Sequence, residues 1–466
     1  MQELTIDTQS LPEEFQHILQ LAQDIYNIKI VLLKPMGGGW SGAVIYLVSV
    51  MSKETGNVEH CILKLDHKHK SKKSDEVTRH KIVMTKAAPE FAAAHIADLV
   101  YDPIEQEGAI AIFYRIAGQS LFEYLPLSAF DQQSPLIDIF TKTNEILLSR
   151  WNKNLTFEQA VHPQKVLQKW LGFRLDAGRN IEHFLHDRCR INPEIPGFLI
   201  SGHVFPNPLR YARDPDVWGN SRAIDIAAGF VHGDLNTNNI LVKYSRTDKI
   251  LEGYYLIDFA LFKEGIPLLY DQRYLEMSYL LLSTSQVSFA KFVKFLTLMA
   301  SMDILEAEKS PIEMYGVNEI IAYSRNAFAT WVEKNHPSLH DDLWAQYWLA
   351  GVAAGLSYTH KAGLPEDQRL AGLIYAAANL KRYAKIFNLS LPTQVELLYD
   401  GNPIGEGSPG SILVKEPKHN IPPQPTRFIG RKEQITAIKK LLLLEDVRQI
   451  TLMGPGGTGK TRLSLQ

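Results

Sequence analysis

The sequence predicts an α+β chain, β-rich over its first 120 residues and mainly helical from about Leu121, followed by an incomplete α/β fragment. Three observations carry this expectation. Residues 28–118 hold apolar, β-branched runs separated by turn signals, as in Lys29-Ile-Val-Leu-Leu33 and Cys61-Ile-Leu-Lys-Leu65. From about Leu121 the apolar residues recur at helical spacing, most clearly over 134–150, 164–186, 288–308, 341–357 and 366–387. After Asp400 the composition turns to glycine and proline, and a further strand and a glycine-rich turn follow.

Taken in order, residues 1–27 read as a helical extension. The β-rich part spans 28–118, with a turn at Thr55-Gly-Asn57, a helix over 74–88 that Ser74 would cap, and strands near Leu99 and at Ala109–Tyr114. The mainly helical part, 119–400, includes a long stretch with Asn207-Pro-Leu-Arg. Two short apolar runs interrupt its helical pattern, Phe230-Val-His-Gly-Asp234 and Tyr254-Tyr-Leu-Ile-Asp258, and both end in an acid. Residues 401–426 are linker chemistry, flexible at Gly401–Gly410 and stiffer where prolines cluster. Residues 427–466 read as the start of a nucleotide-binding domain.

Composition narrows the classes. With 466 residues, 45% hydrophobic and 21% charged, the chain is long enough for two or three globular domains and is not disordered. Its formal charge of −2 gives no footprint for nucleic acid. The ten basic and five acidic residues of 401–466 make that stretch basic and the rest acidic. Two cysteines, Cys61 and Cys189, are too few for a disulfide scaffold and fit a reducing compartment. No apolar run reaches the ~18 residues of a membrane span, and Met1-Gln-Glu-Leu4 does not resemble a secretory leader. The expectation is a cytoplasmic protein without membrane or nucleic-acid partners. The basic run His67–Lys73 reads as a solvated loop.

Four motifs carry chemistry. Gly37-Gly-Gly-Trp-Ser-Gly-Ala-Val44 fits G-x-G-x-x-G-x-V between two strands, where Gly37, Gly39 and Gly42 would let backbone approach phosphates and Val44 would begin the next strand. Alone, it also reads as an ordinary glycine turn. Lys64 sits in an aliphatic strand and needs a counter-charge, which Glu76 at the start of the next helix could supply, or a phosphate; alone, it also reads as an edge-strand lysine pointing to water. Val231-His-Gly-Asp-Leu-Asn-Thr-Asn-Asn239 spaces an acid and an amide five residues apart: Asp234 as base, Asn239 as a metal-binding oxygen. Asp258, ending Leu256-Ile-Asp258, would hold Mg²⁺ against ATP phosphates. Asp271 reads equally as a brace for the base loop or as a helix cap.

In this order the motifs resemble the protein-kinase-like superfamily over about residues 28–390, and most closely its aminoglycoside- and choline-kinase branch. The resemblance implies a two-lobed fold with ATP and Mg²⁺ in the cleft, and a hinge at Ile112–Gly118 where the backbone near Ile116 meets adenine. Asp258-Phe-Ala260 departs from D-F-G, and the short span to Asp271 leaves no room for a long activation loop. Gly454-Pro-Gly-Gly-Thr-Gly-Lys-Thr461 fits a P-loop, with Gly454, Gly457 and Gly459 in the turn, Lys460 reaching terminal phosphates and Thr461 holding Mg²⁺. With Arg427-Phe-Ile-Gly-Arg431 before it, this segment resembles the entry to NB-ARC-type STAND ATPases. The pairing resembles bacterial-type STAND signalling proteins whose amino-terminal modules are called ternary-complex-associated domains. Two functions remain open: a phosphotransferase acting on a small-molecule or protein hydroxyl, or a non-catalytic nucleotide sensor that gates the downstream STAND ATPase.

Overall fold

A computed structural model of the chain describes residues 8–38, 43–67, 76–106, 108–116, 124–130, 133–214, 222–245, 247–248, 250–283, 288–301 and 317–398. Beyond these it describes 412–413, 431, 434–435, 437–438, 441 and 451–452. Both expected lobes are present. In the small lobe, β1 (Ile28–Gly38), β2 (Val44–Ser52), β3 (Val58–His67), β4 (Ile104–Gln106) and β5 (Ala109–Arg115) form one antiparallel sheet in the order β1-β2-β3-β5-β4. The turn before β3 needs Gly56 at φ +70°. Helix α1 (Glu13–Ile25) buries Phe15, Ile18, Leu19 and Ala22, an i, i+3, i+4, i+7 stripe, against this sheet. Leu99 forms only an isolated bridge to Tyr114 where a strand was expected.

Two helices leave the sheet, α2 (Glu76–Lys86) and α3 (Pro89–His95). Their apolar residues Val83, Ala87, Phe91 and Ala92 belong to the large lobe's core and not to the core beneath α1. The connection between the lobes is therefore a packed one.

In the large lobe β6 (Leu125–Pro126) precedes α4 (Gln133–Ile146), which runs on through a π-turn to Trp151. The single helix expected over 164–186 is broken. Helix α5 (Pro163–Leu171) stops at Gly172, whose φ of +53° no helix tolerates, and α6 (Asn180–His183) begins after Gly178 at φ +69°. Strands β7 (Thr156–Val161), β8 (Gly197–Ile200) and β9 (His203–Pro206), with α7 (Pro208–Arg213), build the stretch that contains Asn207. That residue caps α7 by accepting from Leu209 N and Arg210 N, a structural role.

Strand β10 (Ile224–Val231) pairs with β7 and β13 (Lys263–Pro267); β11 (Ile240–Ser245) pairs with β12 (Ile250–Leu256) and β6. The loops leaving β10 and β12 are tied together where His232 Nε2 donates to the Ile257 carbonyl at 2.9 Å. Behind them lie α8 (Tyr270–Ser283), α9 (Phe289–Ser301), α10 (Val317–Asn335), α11 (His340–His360) and α12 (Glu366–Ile386). Helices α11 and α12 meet backbone to backbone: a Cβ on Gly355 would lie 2.4 Å from the Gly372 carbonyl. β14 (Gln394–Leu397) runs parallel to β8 and also pairs with β15 (Ile412–Leu413), within the expected linker. Cys61 and Cys189 are buried free thiols. Among the described residues no helix is long and apolar enough to cross a membrane.

Candidate active site

Backbone amides need partners, and three polar side chains supply them to β10 and the loop it feeds. Gln346 on α11 accepts from Ala227 N at 2.9 Å and donates to Ala227 O at 2.8 Å, acting as one more strand rung. Asn152 accepts from Phe230 N at 2.7 Å. Asp271 receives His232 N at 2.7 Å and Gly233 N at 2.9 Å through its two oxygens, so it braces the loop and does not merely cap α8. Gly233 must be glycine: φ is +84°, and a Cβ there would lie 2.4 Å from the Leu261 carbonyl.

Helix α8 reads like a ruler along this loop. Positions 271, 274 and 278, spaced i, i+3 and i+7, fall on one face. Tyr274 donates its hydroxyl to Asp234 Oδ1 at 2.6 Å, and Ser278 Oγ accepts from Thr237 N at 3.1 Å. Burial, reinforced by Asp234, pushes the Tyr274 phenol well up, which keeps it a donor. The same Asp234 oxygen receives Lys361 Nζ at 2.9 Å, from the end of α11. Asn239 Nδ2 donates to the Asp234 carbonyl at 2.8 Å, and the Asn239 carbonyl receives Ile257 N at 3.1 Å, joining the two loops.

Lys64 lies on β3, between Ile45 of β2 and Ile112 of β5. Its Nζ reaches Glu76 Oε2 at 2.7 Å and Asp258 Oδ2 at 3.3 Å. Burial pushes the Lys64 pKa down, but Asp258 and Glu76 together outweigh it and hold it above the usual lysine range. Tyr114 donates to the other Glu76 oxygen, and Arg79 of α2 donates to the Ala260 carbonyl. Asp258 sits at φ +65°, a left-handed conformation uncommon for a residue with a side chain. The next residue, Phe259, is fully buried against His232 and His80, with ring centroids 4.9 and 5.6 Å apart.

Burial drives the His80 pKa from 6.5 down to about 4, against weaker opposition from Ala97 and Asp98. The unfolded chain therefore takes up a proton near pH 6.5 that the fold refuses until about pH 4. Stability should fall as pH drops through that window, by about 3 kcal/mol from this group. His80→Phe is expected to flatten that part of the profile. Urea midpoints of both proteins at pH 7 and 4.5 check it, and equal pH slopes would refute the assignment.

Of the residues singled out from sequence, Lys64, Glu76, Asp234, Asn239 and Asp258 meet around the junction of the two loops. Gly37 is the penultimate residue of β1, Val44 opens β2, and Ile116 directly follows β5. Gly39, Gly42, Ser74 and Gly118 lie outside the described residues, as do Gly454, Gly457, Gly459, Lys460 and Thr461. Tyr274 and Lys361 were not anticipated. Tyr274 had a signal, its helical phase with Asp271; Lys361 had none.

A family model described as Ternary complex associated domain 9 matches residues 182–325, the span carrying Asp234, Asn239, Asp258 and Asp271. No curated protein matches the chain. Among solved structures the chain is similar to a thermostable mutant of an aminoglycoside phosphotransferase, crystallised as a ternary complex with AMP-PNP and hygromycin B. Identity is 11%, over 79% of this chain and 97% of that one, with a TM-score of 0.36.

Proposed function

We propose that residues 28–398 form an ATP-dependent phosphotransferase of the aminoglycoside- and choline-kinase-like type, acting as the amino-terminal module of a STAND signalling ATPase. The observation that supports it best is the pair of ion contacts from Lys64, one to Glu76 and one to Asp258. A buried lysine between two carboxylates is set to bind an anion once one carboxylate turns to a metal.

The residues present fit ATP and Mg²⁺. Asp258 is a third exposed, and Asn239 Oδ1 has no hydrogen-bond partner among the described residues; carboxylate and amide oxygens are the donors Mg²⁺ takes. Bound there, Mg-ATP supplies the transferable phosphoryl group. Lys64 would bind phosphate oxygens, Glu76 would keep it aimed, and Asp258 and Asn239 would hold the metal. Tyr274 and Lys361 both donate to Asp234 Oδ1, so Oδ2 is the oxygen that would take the acceptor's hydroxyl proton.

Lys64→Met is expected to weaken Mg-ATP binding about 10–100-fold, the size of one or two hydrogen bonds to a charged group. A fluorescent ATP analogue titrated into both proteins measures it, with ATP consumption followed alongside. Unchanged affinity would overturn the reading. One observation favours the non-catalytic sensor instead: Lys361 neutralises the base. Mg-ATP binding without turnover toward any acceptor would select that alternative.

A further inference from the structure

The wall beside Asp234 is cationic. It is built from the break between α5 and α6 and from the end of α11, which are tied together. Asn180 Nδ2 donates to the His360 carbonyl at 3.1 Å, and Phe173 meets the His360 ring edge-on at 5.7 Å. On this wall Lys361 Nζ bonds Asp234 and lies 5.2 and 5.5 Å from the Tyr274 and Tyr358 ring centroids. Arg174 and Arg179 place their guanidinium groups 5.5 and 5.6 Å from the ring of Phe173. Phe173 is 37% exposed. Neither arginine has a carboxylate partner among the described residues; Arg174 donates only to the Leu171 carbonyl, at 3.3 Å. Of the nearby acids, Glu182 is taken by Arg213 at 2.6 Å.

We propose that Lys361, with Arg174 and Arg179 at the rim, is the specificity-determining group of the acceptor site. The acceptor is a small hydroxyl compound carrying a phosphate or carboxylate. The inference rests on the reading of Asp234 as the base. Because Tyr274 and Lys361 fill Oδ1, an acceptor hydroxyl meets Oδ2, within one carboxylate's width of an ammonium. A cationic amino alcohol approaching there is repelled by Lys361 and finds its natural counter-charge already neutralised. An anionic group is attracted, and the partly buried setting leaves that attraction less screened than at an open surface. The aromatic rings hold the ammonium between Asp234 and the wall, so it can turn from one to the other without unfolding the loop.

The test uses two probes of similar size, glycerol 3-phosphate and choline, titrated by calorimetry into the whole protein saturated with Mg-ADP, with ATP consumption measured separately. The expected result is that glycerol 3-phosphate binds at least tenfold tighter than choline, that Lys361→Met removes this preference, and that Lys361→Arg retains most of it. Tighter binding of choline, equal binding of both, binding of neither, or a preference untouched in Lys361→Met would each overturn the proposal. The phosphotransferase reading fails separately. Anion preference without ATP turnover leaves this acceptor site standing as a sensor pocket, whereas turnover of choline keeps the enzyme and discards the anionic acceptor.

Discussion

Asp258→Asn is expected to abolish Mg-ATP binding and transfer together, while Asp234→Asn slows transfer by a factor on the order of 10²–10⁴ and leaves ATP affinity nearly intact. The two aspartates lie in adjacent loops, yet their contacts differ. Asp258 touches Lys64, which the proposed reading assigns to the phosphate end of the site. Asp234 touches Tyr274 and Lys361, which the same reading places at the acceptor end. Asn substitution keeps the shape and removes one charge, so each change reports on its own end. Nucleotide titrations and single-turnover assays on both variants make the comparison, with melting curves to confirm folding. If Asp234→Asn transfers phosphate at the wild-type rate, it is not the base. If both variants lose ATP equally, the division into two ends is wrong.

The second large effect concerns stability. Glu276→Gln is expected to cost about 3–5 kcal/mol, read from denaturant midpoints. Glu276 is 3% exposed and takes Arg273 on one oxygen, with Arg325 at 3.1 Å and Tyr375 at 3.0 Å on the other. Against the upward push of burial, Arg273 and Arg325 hold its pKa below the usual carboxylate range. Arg273 also donates to Tyr347 at 2.7 Å and to Asn379 at 2.5 Å, so the cluster pins α8 to α11 and α12. The glutamine variant leaves two guanidinium groups in the core without a counter-charge. A loss under about 1 kcal/mol would mean that the arginines do not depend on Glu276. Because the same helix carries Asp271, Tyr274 and Ser278, a wild-type fold with a displaced Glu276 should also loosen the base loop.

Why the sequence revealed some of this and hid the rest follows from how each residue reaches the site. Asp234 and Asn239 share one loop, and Asp258 ends a strand beside it, so spacing along the chain was enough to place them. Lys64 was legible because an ammonium on a central aliphatic strand must find a partner. Tyr274 and Lys361 arrive from helices 40 and 127 residues beyond Asp234, and separations of that size leave no local pattern. The break at Gly172 was missed because apolar spacing continues across it; only the backbone shows that Gly172 and Gly178 take positive φ. The P-loop motif at 454–461 lies outside the described residues and stands as a proposal from sequence.

Helix α2 contributes Val83 to the large lobe's core, while its Val77 packs with Ile112 and Tyr114 of β5 and Ile62 of β3, so α2 bridges the sheet and the large lobe. A movement of the sheet against the large lobe would therefore be taken up at α2, beside the contact between Lys64 and Glu76. A nucleotide that holds Lys64 in place would then rigidify the sheet relative to everything else. In an exchange experiment its footprint should appear on β1–β3 and α1, with the amides of α2 already slow before it arrives. On the proposed reading, the effect of a bound nucleotide would reach α1 first, because that helix lies directly on the sheet that carries Lys64.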